Sequence, residues 1–535
     1  MEKVNGRRTA EAELQRSSEI RNGEFVRYYG KANEIVIPDS VTVIAEDAFR
    51  GNRKLVRVVL GRNVTVIGAG AFRECTNLQS VTVPSGLREI GDEAFYGCAA
   101  LCEINLPNTM VKLGVGAFRA CRSLKRIYLA PSVETLSEFA FCDCESLEEV
   151  KLPEGISRIR RATFLNCRSL RALDIPPSVR TVGKYAFANC TALESLEMPT
   201  ELAYMGSGVL TGCESLREFT VPAGVHFIGA YFFAGCRSLE RVTLSDEINF
   251  IGREAFCGCR SLSAIELPSA LEYIGYASFL GCEALTSLTV PAHVSEIEGR
   301  SFACCYALER IELRCEALTV IEDETFRDCT ALEAIVLPDA ITAIGERAFY
   351  RCTALASVHI PRDLISLGDR AFADCEALES VSLPIGTRRV GDRAFAGCRA
   401  LSAVILPDHK IKVGNAAFAD CEALSVLVLS DTMRLLRKKC DSWHVAKEAN
   451  VILHSELKLA LMFAKLSKSD TDGEHKKALR AEARRLLGRL KKRNQLHSTA
   501  ELKQNITDAV QAIGEQINPT VEETAEEAAR DREEA

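Results

Sequence analysis

Hydrophobic and polar positions along this chain repeat with a period of 23 residues between about residues 35 and 436. Each repeat is centred on one position, which we call the aromatic slot. The slots are Phe49, Phe72, Phe95, Phe118, Phe141, Phe164, Phe187, Leu210, Phe233, Phe256, Phe279, Phe302, Phe326, Phe349, Phe372, Phe395 and Phe418. The step is 23 residues everywhere except from Phe302 to Phe326, where it is 24. Seventeen slots at a fixed short period predict a protein built from stacked structural repeats.

The hydrophobic pattern inside each repeat predicts two extended segments. Apolar residues nine and eleven positions after the slot alternate with polar ones, as in Ile265-Glu266-Leu267, which is typical of a half-buried β-strand. Proline usually follows and ends the strand, because it has no N–H to donate to a sheet. The apolar residue five positions before the slot, often followed by glycine as in Ile251-Gly252, predicts a second, shorter segment and a turn. The stretch around the slot itself has room for one helical turn.

Cysteine and leucine each recur at one fixed position of the repeat, and we call such a set of equivalent residues a column. Cysteine lies three positions after the slot in sixteen of the seventeen repeats, and the first repeat has Asn52 there. Leucine lies six positions after the slot in all seventeen. Since a thiol is small and mostly apolar, we interpret the sixteen cysteines as an internal packing ladder. Six cysteines lie outside this column: Cys102, Cys142, Cys257, Cys304, Cys315 and Cys440.

The consensus I-G-x-x-A-F-x-x-C-x-x-L-x-x-V-x-L-P resembles the BspA-type leucine-rich repeat family over about residues 35 to 436. The resemblance implies a leucine-rich-repeat solenoid, mainly β with short helical turns and with a parallel sheet on its concave face. Members of the family are typically binding proteins, many of them surface adhesins of bacteria or protists. No enzymatic activity attaches to the repeat itself.

Outside the repeats, the sequence favours caps and an α-helical C-terminal tail. The expected segments are a polar, disordered N-terminus at 1–24, an N-terminal cap hairpin at 25–40, the solenoid at 41–436, a C-terminal cap with a helix at 437–466 (the helix at 452–466), a helical tail at 467–518 and an acidic, disordered end at 519–535. Residues 476–493 of the tail are strongly basic with one apolar side. We interpret them as a solvated helix that packs on its neighbour at 501–517, and the alternative is contact with an acidic partner, RNA or a membrane surface.

The composition indicates the class of protein and its cellular compartment. The chain has 535 residues, 47% hydrophobic and 26% charged, as in an ordered soluble protein. Its net charge of −7 provides no general attraction to nucleic acid or an anionic membrane. The polar N-terminus lacks the apolar core of a signal peptide, and no apolar stretch is long enough to span a membrane. With 22 cysteines, a reducing cytoplasmic location is predicted, and a surface or exported protein is the alternative.

Catalytic and metal-binding motifs are missing from the sequence. It contains no G-x-S-x-G, P-loop, dinucleotide fingerprint or H-E-x-x-H, and no histidine completes a four-ligand zinc site with neighbouring cysteines. We therefore predict a non-enzymatic protein without a metal or cofactor and without a small-molecule substrate.

The outward residues of the longer strands, eight and ten positions after the slot, are the predicted binding surface, because repeat proteins bind along an extended face. These columns are polar, carry both signs of charge and lack an aromatic stripe, which argues against a carbohydrate or single-stranded nucleic-acid ligand. The candidate protein-binding residues are Arg57, Arg126, Tyr128, Glu149, Lys151, Glu197, Arg241, Glu266, Arg310 and Glu312. The sequence predicts a scaffold for an unidentified protein partner. The alternatives are an adhesin of the same fold and nucleic-acid or membrane association through 476–493.

Overall fold

Each 23-residue repeat forms one turn of a β-solenoid with a short strand and, in most repeats, a longer strand. The structure, a computed structural model, describes residues 14, 16–133, 135–430, 442 and 450–453. The chain divides into a first unit, Met1–His293, and a second unit, Val294–Ala535, which are described separately. Among the described residues, no helix is long and apolar enough to cross a membrane.

Where they form, the long strands lie at the predicted positions and pair in parallel with a register of one repeat, as in Tyr128 opposite Lys151. The prediction is wrong for three repeats of the first unit, where residues 172–174, 195–197 and 264–267 form no strand, and Glu103 makes only isolated bridges. In the first unit they are Glu34–Val36, Arg57–Val59, Ser80–Thr82, Arg126–Tyr128, Glu149–Lys151, Glu218–Thr220, Arg241–Thr243 and Ser287–Val290. In the second unit they are Arg310–Leu313, Ala334–Val336, Ser357–His359, Ser380–Ser382, Ala403–Ile405, Val426–Leu429 and Asn450–Leu453.

The short strands form a second set of parallel pairs on another side of each repeat. In the first unit they are Val43–Ile44, Val66–Ile67, Glu89–Ile90, Lys112–Leu113, Thr135–Leu136, Arg158–Ile159, Thr181–Val182, Tyr204–Met205, Phe227–Ile228, Phe250–Ile251 and Tyr273–Ile274. In the second unit they are Glu296–Ile297, Val320–Ile321, Ala343–Ile344, Ser366–Leu367, Arg389–Val390 and Lys412–Val413. The second residue of each strand is buried, except for the half-buried Val413, and the first residue faces outward.

The segment around each slot forms turns instead of the predicted helical turn. Two residues with left-handed backbone flank the slot, such as Gly70 (φ 57°) and Glu74 (φ 59°) around Phe72. This alternation turns three N–H groups per repeat toward the next repeat; Phe72, for example, donates to the Ala94 carbonyl at 2.7 Å. The turns therefore add a third line of backbone hydrogen bonds between repeats.

Aromatic rings and thiols fill the core between these three sides. In the first unit, the rings of Phe49 and Phe72 stack with centroids 4.8 Å apart, and in the second unit Phe349 and Phe372 stack at 4.9 Å. Each described ladder cysteine for which a bond is given donates its thiol to the slot carbonyl of the preceding repeat, as Cys259 does to Phe233 at 3.2 Å. None of the 21 described cysteines forms a disulfide, and the ladder members are buried. The predicted packing ladder is thus confirmed within each unit.

The N-terminal end is closed by a hairpin that lies earlier than expected. Ser18–Arg21 and Glu24–Tyr28 pair antiparallel around Asn22-Gly23, whose positive φ angles (50° and 81°) suit a tight hairpin turn. The second strand then pairs in parallel with Val43–Ile44. The expected range 25–40 contains only this second strand and the first long strand.

At the C-terminal end, Asn450–Leu453 adds a parallel strand beside Val426–Leu429. Residues 452 and 453 are therefore strand, where a helix was expected to begin. The rest of that helix, the tail at 467–518 with its basic segment, and the acidic end lie outside the described residues.

Candidate protein-binding surface

All ten predicted binding residues are exposed on the long-strand side of the repeats. The cause is the strand alternation: Arg126 and Tyr128 point outward, while Ile127 between them is buried. Eight of the ten lie in the first unit, and Arg310 and Glu312 lie in the second. The structure confirms their exposure, and their role in binding remains a prediction.

Four of these residues form one group, which we call the central patch: Arg126, Tyr128, Glu149 and Lys151. The Tyr128 hydroxyl donates to Glu149 Oε1 at 2.9 Å, and Arg126 Nε lies 3.8 Å from Glu149 Oε2. The hydrogen bond to this carboxylate raises the pKa of Tyr128. Tyr128 is 43% exposed, so its ring remains available to a partner.

The other predicted residues do not join the central patch. Arg57 pairs with Glu34 at 3.8 Å, and Arg241 pairs with Glu218 at 3.3 Å. In the second unit, Glu312 accepts two bonds from Arg314, at 2.8 and 2.9 Å. Exposed ion pairs of this kind contribute little to stability, so a partner that replaces them meets a small energetic cost.

The sequence analysis missed an aromatic column on the short strands. Tyr204, Phe227, Phe250 and Tyr273 occupy the outward position, six residues before the slot, in four consecutive repeats of the first unit. The predicted lack of an aromatic stripe concerned the long-strand columns, whereas this column lies on the short strands. The signal was present at a fixed offset in the sequence. It was missed because a two-residue strand is too short to reveal by alternation which residue faces out.

Histidine, cysteine and acidic side chains are the candidates for metal binding among the described residues. No group of three or more His, Cys, Asp or Glu side chains there is arranged to hold a metal ion. His226 lies 3.1 Å from Glu247, and both side chains are more than half exposed.

The family model described as "BspA type Leucine rich repeat region (6 copies)" matches residues 18–148, 113–240, 226–354 and 319–442. The chain belongs to this family. The matches together run from residue 18 to residue 442, which includes every aromatic slot and the strands from Ser18–Arg21 to Val426–Leu429. No curated protein matches the sequence.

Among solved structures, this BspA-type chain is similar to three bacterial proteins. A leucine-rich repeat protein from Bacteroides ovatus is 23% identical, over 81% of this chain and 94% of that one, with a TM-score of 0.41. A leucine rich cell surface protein from Faecalibacterium prausnitzii is 26% identical, over 63% and 89%, with a TM-score of 0.43. The leucine-rich repeat protein of T. pallidum is 33% identical, over 36% and 82%, with a TM-score of 0.30.

Proposed function

We propose that this BspA-type protein is a non-enzymatic scaffold that binds a protein partner through the outward face of its long strands, with the central patch at the middle of the contact. The observation that carries this proposal is the geometry of Arg126, Tyr128, Glu149 and Lys151. They stand on two hydrogen-bonded strands and are exposed together. Tyrosine and arginine are enriched among the residues that contribute most to protein interfaces.

Rigidity of the strands supports the same proposal. The outward residues are set by the repeat register, and strands one repeat apart lie about 4.8 Å apart. The five repeats from Arg57 to Lys151 therefore present a surface about 19 Å long along the stack. A surface that is already ordered loses little conformational entropy when a partner binds.

The test uses the full chain as bait and quantifies recovery of the captured partner with a Tyr128→Ala/Lys151→Glu variant. We expect at least about a tenfold loss of affinity, because an aromatic anchor and a charge are removed together. The matched control is Lys112→Glu, which makes the same charge change on an exposed short strand. Equal binding by the wild type and the patch variant, with the fold intact by circular dichroism, would contradict the proposal.

The cellular location of the protein is also a proposal. The ladder of buried cysteines, which form no disulfide among the described residues, supports the predicted cytoplasmic location. The similarity to a cell surface protein of Faecalibacterium prausnitzii favours the surface alternative. Fractionation of cells that produce the protein separates the two, since recovery only outside the cell would reject the cytoplasmic location. Association of 476–493 with nucleic acid or membranes stays a prediction, because that segment lies outside the described residues.

A further inference from the structure

The short-strand side of the first unit carries an exposed apolar surface that the proposed function does not use. We call Tyr204, Phe227, Phe250 and Tyr273 the aromatic stripe. Phe227, Phe250 and Tyr273 stand opposite one another on neighbouring parallel strands. Tyr204 continues the line, with its ring centroid 5.9 Å from that of Phe227. Tyr204 is 38% exposed and Phe250 is 39% exposed.

Two neighbouring pairs of rings in the aromatic stripe pack against each other, which covers part of their faces. Phe250 and Tyr273 are parallel within 3°, with centroids 4.7 Å apart, and Tyr204 meets Phe227 edge-on. Nucleobases bind aromatic side chains by stacking on a free ring face. The mutual stacking therefore favours a ligand that makes apolar contact with ring edges, as aliphatic and aromatic side chains of a polypeptide do.

A basic cleft lies at one end of the stripe. Arg158, Arg160, Arg161 and Lys184 line a cavity of about 250 Å³, and all four are exposed. Tyr204 lines the same cavity, so stripe and cleft form one continuous surface. Arg158, Thr181 and Tyr204 stand opposite one another on three consecutive strands. One carboxylate, Glu138, lines the cavity with the four cations.

The charges of the basic cleft are not neutralised within the described part of the chain. Arginines on other sides of the first unit pair with carboxylates one repeat away, as Arg126 does with Glu149 and Arg171 with Glu194. Among the described residues, no carboxylate oxygen lies within 4.0 Å of a side-chain nitrogen of the four cleft cations. Glu134 is not among the described residues. Arg161 also lies over the Phe139 ring, 5.5 Å from its centroid. Four cations that have no carboxylate within 4.0 Å among the described residues, beside an apolar stripe, are complementary to a ligand with an acidic end and an apolar end.

We propose that this surface is a second binding site, which takes an extended, unfolded segment of a partner protein with acidic residues at one end and apolar residues at the other. The acidic residues lie in the basic cleft and the apolar side chains lie along the aromatic stripe. Cleft and stripe together span seven repeats, from that of Glu138 to that of Tyr273. At about 4.8 Å per step this is roughly 30 Å, which an extended segment of about nine residues covers.

The test measures fluorescence anisotropy of labelled ten-residue peptides titrated with the full chain. The probe has five Asp/Glu residues followed by five Leu/Phe residues, and it is made in both orders. One comparison peptide replaces the acidic residues by Lys/Arg, and another replaces the apolar residues by Ser. We expect the acidic–apolar probe to bind at least about tenfold more tightly than either comparison peptide, because each lacks one half of the complementarity.

Two variants locate the binding. Phe250→Ser interrupts the stripe and Arg158→Glu/Arg161→Glu reverses the cleft, and each is expected to weaken the acidic–apolar probe at least about tenfold. Tyr128→Ala/Lys151→Glu and Lys112→Glu are the controls, and both are expected to bind the probe as the wild type does. Since the central patch and this surface use different residues, loss of one binding activity without the other identifies which proposal fails.

Other occupants are measured in parallel. The full chain is titrated with oligothymidylate and with vesicles of anionic and of neutral phospholipid. The proposal would be overturned if oligothymidylate or vesicles bound more tightly than the acidic–apolar probe and if Phe250→Ser weakened that binding equally. The ligand would then be a nucleic acid or a membrane instead of a polypeptide. Absence of probe binding up to about 1 mM chain would overturn it as well.

Discussion

At the residue scale, the position two residues after each slot shows how the repeat selects its side chains. The backbone there is left-handed, and glycine, aspartate and asparagine predominate, as in Gly258 (φ 72°) between Cys257 and Cys259. Left-handed backbone is unstrained only for glycine and is tolerated by Asn and Asp. Cys257-Gly258-Cys259 is therefore a ladder cysteine preceded by a turn glycine, with Cys257 outside the ladder.

A pair of reciprocal substitutions tests this strain. At Gly258 an added Cβ meets nothing closer than 3.8 Å, so Gly258→Ala has space and suffers only from its backbone conformation. We expect a loss of about 1 kcal/mol in the free energy of unfolding. Ala120 occupies the same position with φ 59°, and Ala120→Gly is expected to gain a similar amount. Urea unfolding followed by circular dichroism measures both. Two changes of the same sign would refute the explanation.

At the element scale, the core column adapts where one repeat lacks its aromatic ring. Leu210 occupies the aromatic slot of one repeat. In the following repeat, Phe232 directly precedes the slot residue Phe233, at a position where most repeats have alanine. The Phe232 ring lies 4.6 Å from Phe233 and 6.4 Å from Phe219. All four residues are buried. We infer that the extra ring of Phe232 occupies the volume that the smaller Leu210 leaves.

If this inference is correct, placing the consensus phenylalanine at the slot of Leu210 lowers the stability of the protein. Leu210→Phe should cost about 1–3 kcal/mol because it overpacks a filled core. Phe232→Ala alone should cost about 3–5 kcal/mol because it leaves a cavity. The double variant should lose less than the sum by at least about 1 kcal/mol, since the new ring fills the new cavity. Denaturant unfolding of the four proteins completes the cycle. Strict additivity would show that the two sites are independent.

The 24-residue step is also explained at the element scale. In the second unit, the extra residue lies between the long strand Arg310–Leu313 and the short strand Val320–Ile321. Both strands keep the usual distance from their slots, and the rings of Phe302 and Phe326 still stack at 5.5 Å. The connection absorbs the insertion because its length does not set the register of either strand.

At the scale of the whole molecule, the thiol ladder couples stability to pH. Burial raises the pKa of Cys75, Cys190, Cys236 and Cys421 to about 12, from the ordinary thiol value of 9.0. The folded protein therefore keeps these protons in a range where the unfolded chain releases them. The resulting stability is complete below about pH 9 and is lost as the pH rises from there toward 12.

The expected result is a steep alkaline loss of stability. Each ladder thiol contributes about 1.4 kcal/mol per pH unit in that window, and many of them act together. The urea midpoint, measured with a reductant present, should be constant from pH 7 to 8 and fall steeply above pH 9. Cys213→Ser/Cys236→Ser/Cys259→Ser should make the fall shallower, whereas Cys102→Ser at an exposed site should not. A midpoint that stays constant to pH 10 would contradict the linkage.

The repeat, its two extended segments, the thiol ladder and the exposure of the ten candidate residues could all be predicted from the sequence. Each of these depends on a local period and on strand alternation, which a chain displays without reference to its neighbours. The contacts between one repeat and the next could not be predicted from the sequence and were found in the folded structure. The left-handed turns, the thiol bond from Cys259 to the Phe233 carbonyl and the pairing of Tyr128 with Glu149 all join residues about one repeat apart. The aromatic stripe and basic cleft likewise became one surface because stacking brings residues 23 positions apart to within about 5 Å.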